Sequence, residues 1–243
     1  MQILQASATT SARKEAVLDS LVFPEYRARQ EQVKDAYRTT FSWIFDTETK
    51  ALGKWDNFAN WLRSNDNMYW VYGKPGSGKS TLMSFILDER KTQEALEEWA
   101  NGQALSCLSF FFWRPGTPLQ KSKVGMLRSL LYQLLKADED IFWQLFPSEP
   151  HVPVWTERAV LQKFLEALKL TKYKVCIFLD GLDEFEGDVQ STDLLLDLCT
   201  KCANLPHVKL CVSSRPEAHL KLVLESCKQL RLQDLTQQAS VFS

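Results

Sequence analysis

The segment Gly73-Lys74-Pro75-Gly76-Ser77-Gly78-Lys79-Ser80 has residue types and spacing that bind phosphate groups. Glycines at these positions let the backbone wrap around phosphates, and the N-terminus of a following helix adds positive potential. Lys79 supplies a mobile ammonium for the β- and γ-phosphates, and the Ser80 hydroxyl can bind Mg²⁺. We include Thr81, the first residue of the predicted helix, in the phosphate-binding set.

An acidic motif follows an apolar run at residues 175–184, Val-Cys-Ile-Phe-Leu-Asp-Gly-Leu-Asp-Glu. A carboxylate at the C-terminal edge of a parallel strand faces the crevice where ligands bind. Asp180 is therefore predicted to hold Mg²⁺, directly or through a water molecule. Asp183 and Glu184 are the predicted catalytic residues, because either could orient or deprotonate an attacking water.

Arg215 stands in the sequence Ser213-Ser214-Arg215-Pro216, after another apolar run. An arginine at the C-terminal edge of a strand can contact a γ-phosphate and report its presence. The position alone is equally compatible with a surface arginine that Pro216 fixes in place.

The elements around these motifs alternate between strands and helices. Continuous apolar runs predict buried strands over residues 68–72, 104–113, 175–179, 208–212 and 229–232. Apolar residues at helical spacing predict helices over 54–63, 81–90, 124–135, 194–202, 220–226 and a stretch that Thr156 caps and that ends at Leu170. This alternation predicts an α/β fold with a mostly parallel sheet and helices on both faces.

The composition narrows the class of protein. The 243 residues carry a net charge of −1, which argues against a nucleic-acid groove or an anionic membrane surface. The sequence contains no run of eighteen apolar residues, the length that a membrane span needs. Its polar start argues against a secretory signal, so we expect a cytoplasmic protein. The six cysteines are then expected to be reduced. Cys199 and Cys202 form a single C-x-x-C pair, which is a weak zinc signal and more typical of two cysteines on one helix.

These motifs together resemble the NACHT-type NTPase domain of the STAND class, in the version of fungal NOD-like proteins that is related to the nephrocystin-3 N-terminal NTPase region. The resemblance covers about residues 18–236. The stretches that carry it are 18–45, 73–80, 110–114, 116–122, 178–184 and 213–216.

The resemblance implies a P-loop NTPase sheet with strand order 5-1-4-3-2, which places Arg215 beside the phosphates and favours its role as a sensor. It also implies contacts to the base from the segment ahead of the first strand, where Arg27, Arg29 and Gln30 are candidates. Arg114 is a candidate for contact with the nucleotide or with a neighbouring subunit. We expect residues 1–20 to be a flexible leader, 21–66 a helical extension, 67–236 the NTPase domain and 237–243 a tail without a match.

The expected function is binding of a nucleoside triphosphate and slow Mg²⁺-dependent hydrolysis, as the switch domain of a signalling protein. ATP is favoured over GTP because the chain lacks an N-K-x-D motif for guanine. The alternative is a nucleotide-dependent interaction module without turnover, as a truncated partner of full-length relatives. Expected partners are the nucleotide and other NACHT-type proteins or a second copy of the chain, with no nucleic acid.

Overall fold

A parallel five-stranded sheet forms the centre of the molecule. The computed structural model describes residues 2–34, 38–45, 56–147 and 152–232, with side chains from residue 11 onward except at 34 and 38–40. The strands are β1 (Met68–Tyr72), β2 (Leu105–Phe111), β3 (Lys174–Asp180), β4 (Val208–Ser214) and β5 (Lys228–Arg231). Their order is β2-β3-β4-β1-β5, with every neighbouring pair parallel. The predicted order 5-1-4-3-2 is the same order counted from the other edge and is confirmed.

Helices cover both faces of this sheet. The α-helices are α1 (Gln2–Leu21), α2 (Ala28–Lys34), α3 (Phe58–Arg63), α4 (Lys79–Asp88), α5 (Arg90–Ala100), α6 (Lys123–Ala137), α7 (Glu139–Leu145), α8 (Glu157–Leu170), α9 (Val189–Ala203) and α10 (Ala218–Leu224). Short 3₁₀ segments span Arg38–Phe45, Pro118–Lys121 and Leu182–Glu184. The predicted α/β fold is confirmed.

Alternate strand residues enter two separate hydrophobic cores. Trp70 and Ile177 belong to the core under α1 and α6 to α10, whereas Tyr69, Val71 and Phe178 belong to the core under α2 to α5. Successive side chains of a strand point to opposite faces. A sheet covered on both faces therefore needs continuous apolar strands, and such runs allowed the strands to be predicted from the sequence.

Side-chain caps begin several helices. The Thr156 side chain accepts a hydrogen bond from the Ala159 N–H and begins α8, as predicted. Asp188 accepts from the Ser191 N–H at the start of α9, five residues before the helix predicted there begins. An oxygen at the cap satisfies a helix N–H that has no partner inside the helix.

Residues 2–20 of the predicted leader lie in α1, which runs from Gln2 to Leu21. Val17 and Leu21 are buried against the core, and the guanidinium of Arg128 donates hydrogen bonds to the carbonyls of Ser20 and Leu21. Val17 and Leu21 stand one helical turn apart and so lie on the same face of α1. The tail predicted over 237–243, and the start of the helix predicted over 54–63, lie outside the described residues.

Lys209, near the start of β4, is a fully buried lysine on the edge of the sheet opposite the phosphate-binding motif. Its Nζ donates to the carbonyl oxygens of Trp61 at 2.9 Å and Asp66 at 2.7 Å. The ammonium also lies over the Trp61 and Trp99 rings, at 4.7 and 5.1 Å from their centroids. Burial lowers the pKa of Lys209 to about 8. The two hydrogen bonds connect β4 to α3, through Trp61, and to the segment after it, through Asp66.

We expect Lys209→Met to lower the free energy of unfolding by about 1–3 kcal/mol, the cost of a buried polar group left without its partner. The Asp66 carbonyl loses its donor, while the Trp61 carbonyl keeps a bond from the Ser64 N–H. Urea unfolding measures the change. Lys174→Met is the matched control, because Lys174 also lies over Trp99 but is only half-buried. A Lys209→Met variant as stable as the parent would contradict this account.

Candidate functional site

The phosphate-binding motif forms the loop between β1 and α4. Gly76 and Gly78 have φ angles of 71° and 85°, in the left-handed region that favours glycine. Gly78 is the N-cap of α4, so the loop wraps around the positive end of that helix. A Cβ atom at Gly76 would meet no heavy atom within 4 Å, so conformation rather than space requires glycine there.

Lys79, the first residue of α4, folds back over this loop. Its Nζ donates to the carbonyl oxygens of Gly73 at 3.0 Å and Lys74 at 3.1 Å. Partial burial lowers the pKa of Lys79, while the nearby Asp183 and Asp180 carboxylates act in the opposite direction. Phosphate oxygens are stronger hydrogen-bond acceptors for an ammonium than neutral carbonyls are. The Lys79 ammonium can therefore leave these carbonyls and donate to a phosphate bound in the loop.

Asp180 ends β3 and is 1% exposed. The Ser213 hydroxyl donates to its Oδ1, and the Gly181 N–H donates to the same Ser213 oxygen at 3.0 Å. The Ser80 hydroxyl also forms a hydrogen bond with Asp180. Burial raises the pKa of Asp180 to about 6, and the hydrogen bonds to Ser213 and Ser80 oppose the rise. The structure thus brings a carboxylate and two hydroxyls together beside the loop.

The Ser80 and Asp180 oxygens fit a magnesium ion. Mg²⁺ prefers hard oxygen ligands and usually takes one or two carboxylates plus substrate phosphates, rather than a complete protein cage. The described residues contain no cluster of three or more histidine, cysteine, aspartate or glutamate side chains that could hold a metal ion. A cation here would take its further oxygen ligands from a bound phosphate and from water.

Asp183 holds Arg215 at the end of β4. Its Oδ1 accepts the main-chain N–H of Arg215 at 2.9 Å, and its Oδ2 lies 3.0 Å from the guanidinium Nε. The Asp183 side chain is 4% exposed and the Arg215 side chain 46% exposed. Both oxygens of this predicted catalytic residue thus contact the predicted sensor.

Glu184 lies one residue further, in the turn that follows Gly181, whose φ is 73°. Its Oε2 accepts the main-chain N–H of Arg114 at 3.0 Å, and Nη2 of Arg114 donates to the Asp183 carbonyl at 2.9 Å. The loop after β2 thus contacts the acidic turn. Arg114 therefore contacts the Glu184 carboxylate and the Asp183 main chain, although it does not line the cleft described below.

The motifs meet in an open cleft of about 270 Å³ at the C-terminal edge of the sheet. Of the residues predicted for the phosphates, Mg²⁺, catalysis and the sensor role, all but Gly73 and Lys74 line it; Gly73 is buried and Lys74 is exposed. The lining residues are Arg29, Val33, Pro75, Gly76, Ser77, Gly78, Lys79, Ser80, Thr81, Asp180, Gly181, Asp183, Glu184, Ser213 and Arg215.

The three candidates for contact with the base, Arg27, Arg29 and Gln30, have different surroundings in the structure. Arg29 lines the cleft. The Arg27 guanidinium lies over the Tyr26 ring, and the Gln30 amide oxygen accepts from the Ser109 hydroxyl at 3.5 Å. Sequence reasoning did not single out Ser213, although its place at the end of β4, beside the strand that ends on Asp180, was a usable signal.

The C-x-x-C pair lies in α9, away from the cleft. Cys199 and Cys202 are free and buried among apolar neighbours, and burial raises the pKa of both thiols. This agrees with two cysteines one turn apart on a helix. All six cysteines are free thiols.

None of the helices that the structure describes has the length and apolar character to cross a bilayer.

Comparison with known proteins gives one family match. The model of the family described as nephrocystin 3, N-terminal, matches residues 39–215, which is most of the chain and includes residues 73–81, Asp180, Asp183, Glu184 and Arg215. No curated protein matches.

Solved structures match the chain at low identity and low TM-score. Cdc6p from Pyrobaculum aerophilum is 15% identical over 88% of this chain and 48% of its own, with a TM-score of 0.40. PCH-2 from C. elegans is 12% identical over 90% and 42%, with a TM-score of 0.38. The Drosophila ORC structure bound to AT-rich DNA and Cdc6 is 14% identical over 93% and 59%, with a TM-score of 0.39. The chain thus spans about half the length of these structures.

Proposed function

Since the chain belongs to the nephrocystin 3 N-terminal family, we propose that its cleft binds a nucleoside triphosphate with Mg²⁺ and hydrolyses it slowly, as the switch domain of a NACHT-type signalling protein. One observation carries the proposal. The glycine loop, the Lys79 ammonium and the paired oxygens of Ser80 and Asp180 line the same cleft at the N-terminus of α4. This combination suits a phosphate chain that carries a divalent cation.

In this proposal residues 73–81 hold the phosphates, through loop N–H groups and the Lys79 ammonium. Ser80 and Asp180 hold Mg²⁺, which when bound neutralises phosphate charge and orients the reacting group. Ser213 supports Asp180 through its hydroxyl, so the carboxylate keeps one orientation.

We assign the base that accepts a proton from the attacking water to Glu184. Asp183 already contacts the main-chain N–H and Nε of Arg215 through its two oxygens. Glu184 lines the cleft, and its Oε2 accepts a neutral main-chain N–H. Asp183 is then the positioning residue for Arg215, whose Nη groups would contact the γ-phosphate as a sensor.

The nucleotide is ATP rather than GTP in this proposal, because the chain contains no N-K-x-D motif for guanine. We place the protein in the cytoplasm, with other NACHT-type proteins or a second copy of the chain as macromolecular partners. The six free thiols agree with a reducing compartment.

Three measurements on the purified chain test the proposal. Mass spectrometry identifies any co-purified nucleotide, calorimetry gives affinities for ATP, ADP and GTP with and without Mg²⁺, and phosphate release gives turnover. Mg²⁺-dependent ATP binding with slow turnover supports the proposal. Mg²⁺-dependent binding without turnover identifies the alternative, a nucleotide-dependent interaction module. No binding of any triphosphate overturns both.

Asp180→Asn is expected to remove most of the Mg²⁺ dependence of ATP affinity. The amide retains the shape and can accept from Ser213 but loses the charge that attracts the cation, so apparent Mg²⁺ affinity should fall roughly 10- to 100-fold. ATP titrations at several Mg²⁺ concentrations, at a pH above the pKa of about 6, measure it. Asp197→Asn on the exposed side of α9 is the control, because it changes charge equally without touching the cleft. Equal Mg²⁺ dependence in both variants would contradict the metal assignment.

A further inference from the structure

Arg29 lies on a second helix that borders the cleft beside the phosphate-binding loop. It lies on α2, which packs against α4, the helix that begins at the phosphate-binding loop. Arg29 lines the cleft together with that loop, and its charge acts on Asp180. The residue precedes the segment 39–215 that matches the family model, so it is supplied by a part of the chain that the family match does not include.

The guanidinium of Arg29 has an unusual set of contacts. Its Nε is buried and has no hydrogen-bond partner among the described residues. Nη1 donates to the neutral amide oxygen of Gln32 at 3.1 Å, and the group lies over the Trp113 ring at 5.9 Å from its centroid. Buried donors of charged groups are costly to leave unsatisfied. A guanidinium carries further N–H donors, and an anion in the cleft that Arg29 lines could accept from those.

Arg29 balances the charges of the side chains that line the cleft. Three cations (Arg29, Lys79 and Arg215) face three carboxylates, those of Asp180, Asp183 and Glu184. Arg215 forms an ion pair with Asp183. Without Arg29 the lining would carry a net negative charge, which opposes the entry of a triphosphate. The ion pair of the cleft joins Asp183 to Arg215 rather than to Arg29.

We infer that Arg29 is a second phosphate-binding cation of this cleft and that it contacts the polyphosphate chain rather than the base. The inference rests on the proposed function. A guanidinium presents a planar set of donors that matches phosphate oxygens, and that of Arg29 lies over the Trp113 ring. The position of Arg29 beside the glycine loop and Asp180 is where the phosphates and the cation would lie, which is why the base is not its target.

Calorimetry with three probes tests the inference: Mg·ATP, Mg·GTP and tripolyphosphate, which has no base. Arg29→Ala should weaken binding of all three by about tenfold or more, because a charge-assisted contact is lost. Arg29→Lys should retain part of the affinity, since it keeps the charge without the planar donors. Arg27→Ala is the matched control; Arg27 stands two residues away, lies over Tyr26 and does not line the cleft. It should change affinity by less than about twofold.

The outcomes separate the inference from the proposed function. If Arg29→Ala binds all probes like the parent while its thermal melting is unchanged, the inference is overturned. If the variant loses ATP and GTP affinity but keeps that for tripolyphosphate, Arg29 contacts the nucleoside and the inference is also overturned. If the parent binds none of the probes, the proposed function fails, and this inference fails with it. An equal loss in Arg29→Ala and Arg27→Ala would indicate general surface charge instead.

Discussion

Glu184→Gln is expected to lower the rate of ATP hydrolysis by about 10²- to 10⁴-fold, the usual contribution of a positioned general base. ATP affinity should stay close to that of the parent. The amide keeps the size of the side chain, and its oxygen can still accept the Arg114 N–H, but it cannot take a proton from water. Single-turnover hydrolysis under saturating Mg·ATP, together with calorimetry, separates the two quantities.

Asp183→Asn is the comparison variant, because it also converts a carboxylate to an amide in the same turn. The amide keeps one acceptor for the Arg215 N–H and removes the negative charge that faces Nε. We therefore expect a smaller loss of turnover and a weaker preference for ATP over ADP, since Arg215 is less firmly held. If Asp183→Asn abolishes turnover while Glu184→Gln hydrolyses ATP like the parent, the two roles are exchanged.

The strands and the phosphate-binding loop could be predicted from the sequence for a physical reason. Strands covered on both faces are continuously apolar, so β1 is predicted with its observed bounds, Met68–Tyr72. Glycines at Gly76 and Gly78 mark backbone angles that few other residues adopt. Periodicity could not give the strand order, which the family resemblance supplied.

Helix boundaries were harder to predict from the sequence where no glycine or proline marks them. The sequence predicted one helix from Thr81 to Arg90, but the chain forms α4 and α5 in succession. Glu89 separates them with an extended backbone, at φ −82° and ψ 131°. A break at one ordinary residue is set by how the two helices pack on the core, and local sequence does not carry that information.

The contacts inside the cleft could not be predicted, because they join segments far apart in the chain. The type of Asp183 and its place after a strand indicated a base, yet its oxygens contact Arg215, 32 residues later. Arg29 was a candidate for the base of the nucleotide, and only its position beside Asp180 and the glycine loop favours the phosphates. Residue type thus identifies the chemistry available in the cleft, and three-dimensional neighbours decide which role each group can take.

Lys79→Ala is expected to reduce triphosphate affinity 30- to 150-fold, which corresponds to about 2–3 kcal/mol for a lost charge-assisted contact. The Lys79 ammonium contacts the loop carbonyls of Gly73 and Lys74, neither of which belongs to the hydrophobic core. The substitution should therefore leave the stability of the fold close to that of the parent. Alanine is also a good helix former, so α4 can still begin at this position.

Calorimetry with Mg·ATP measures the affinity, and urea unfolding checks the fold. Lys201→Ala removes an equal charge from the exposed face of α9, where Lys201 pairs with Asp197, and should bind ATP like the parent. ADP affinity should fall less than ATP affinity, because the ammonium serves the β- and γ-phosphates together and ADP lacks the second. An ATP affinity unchanged by Lys79→Ala would mean that the loop does not bind phosphate through its lysine, and the assignment of this cleft would have to be abandoned.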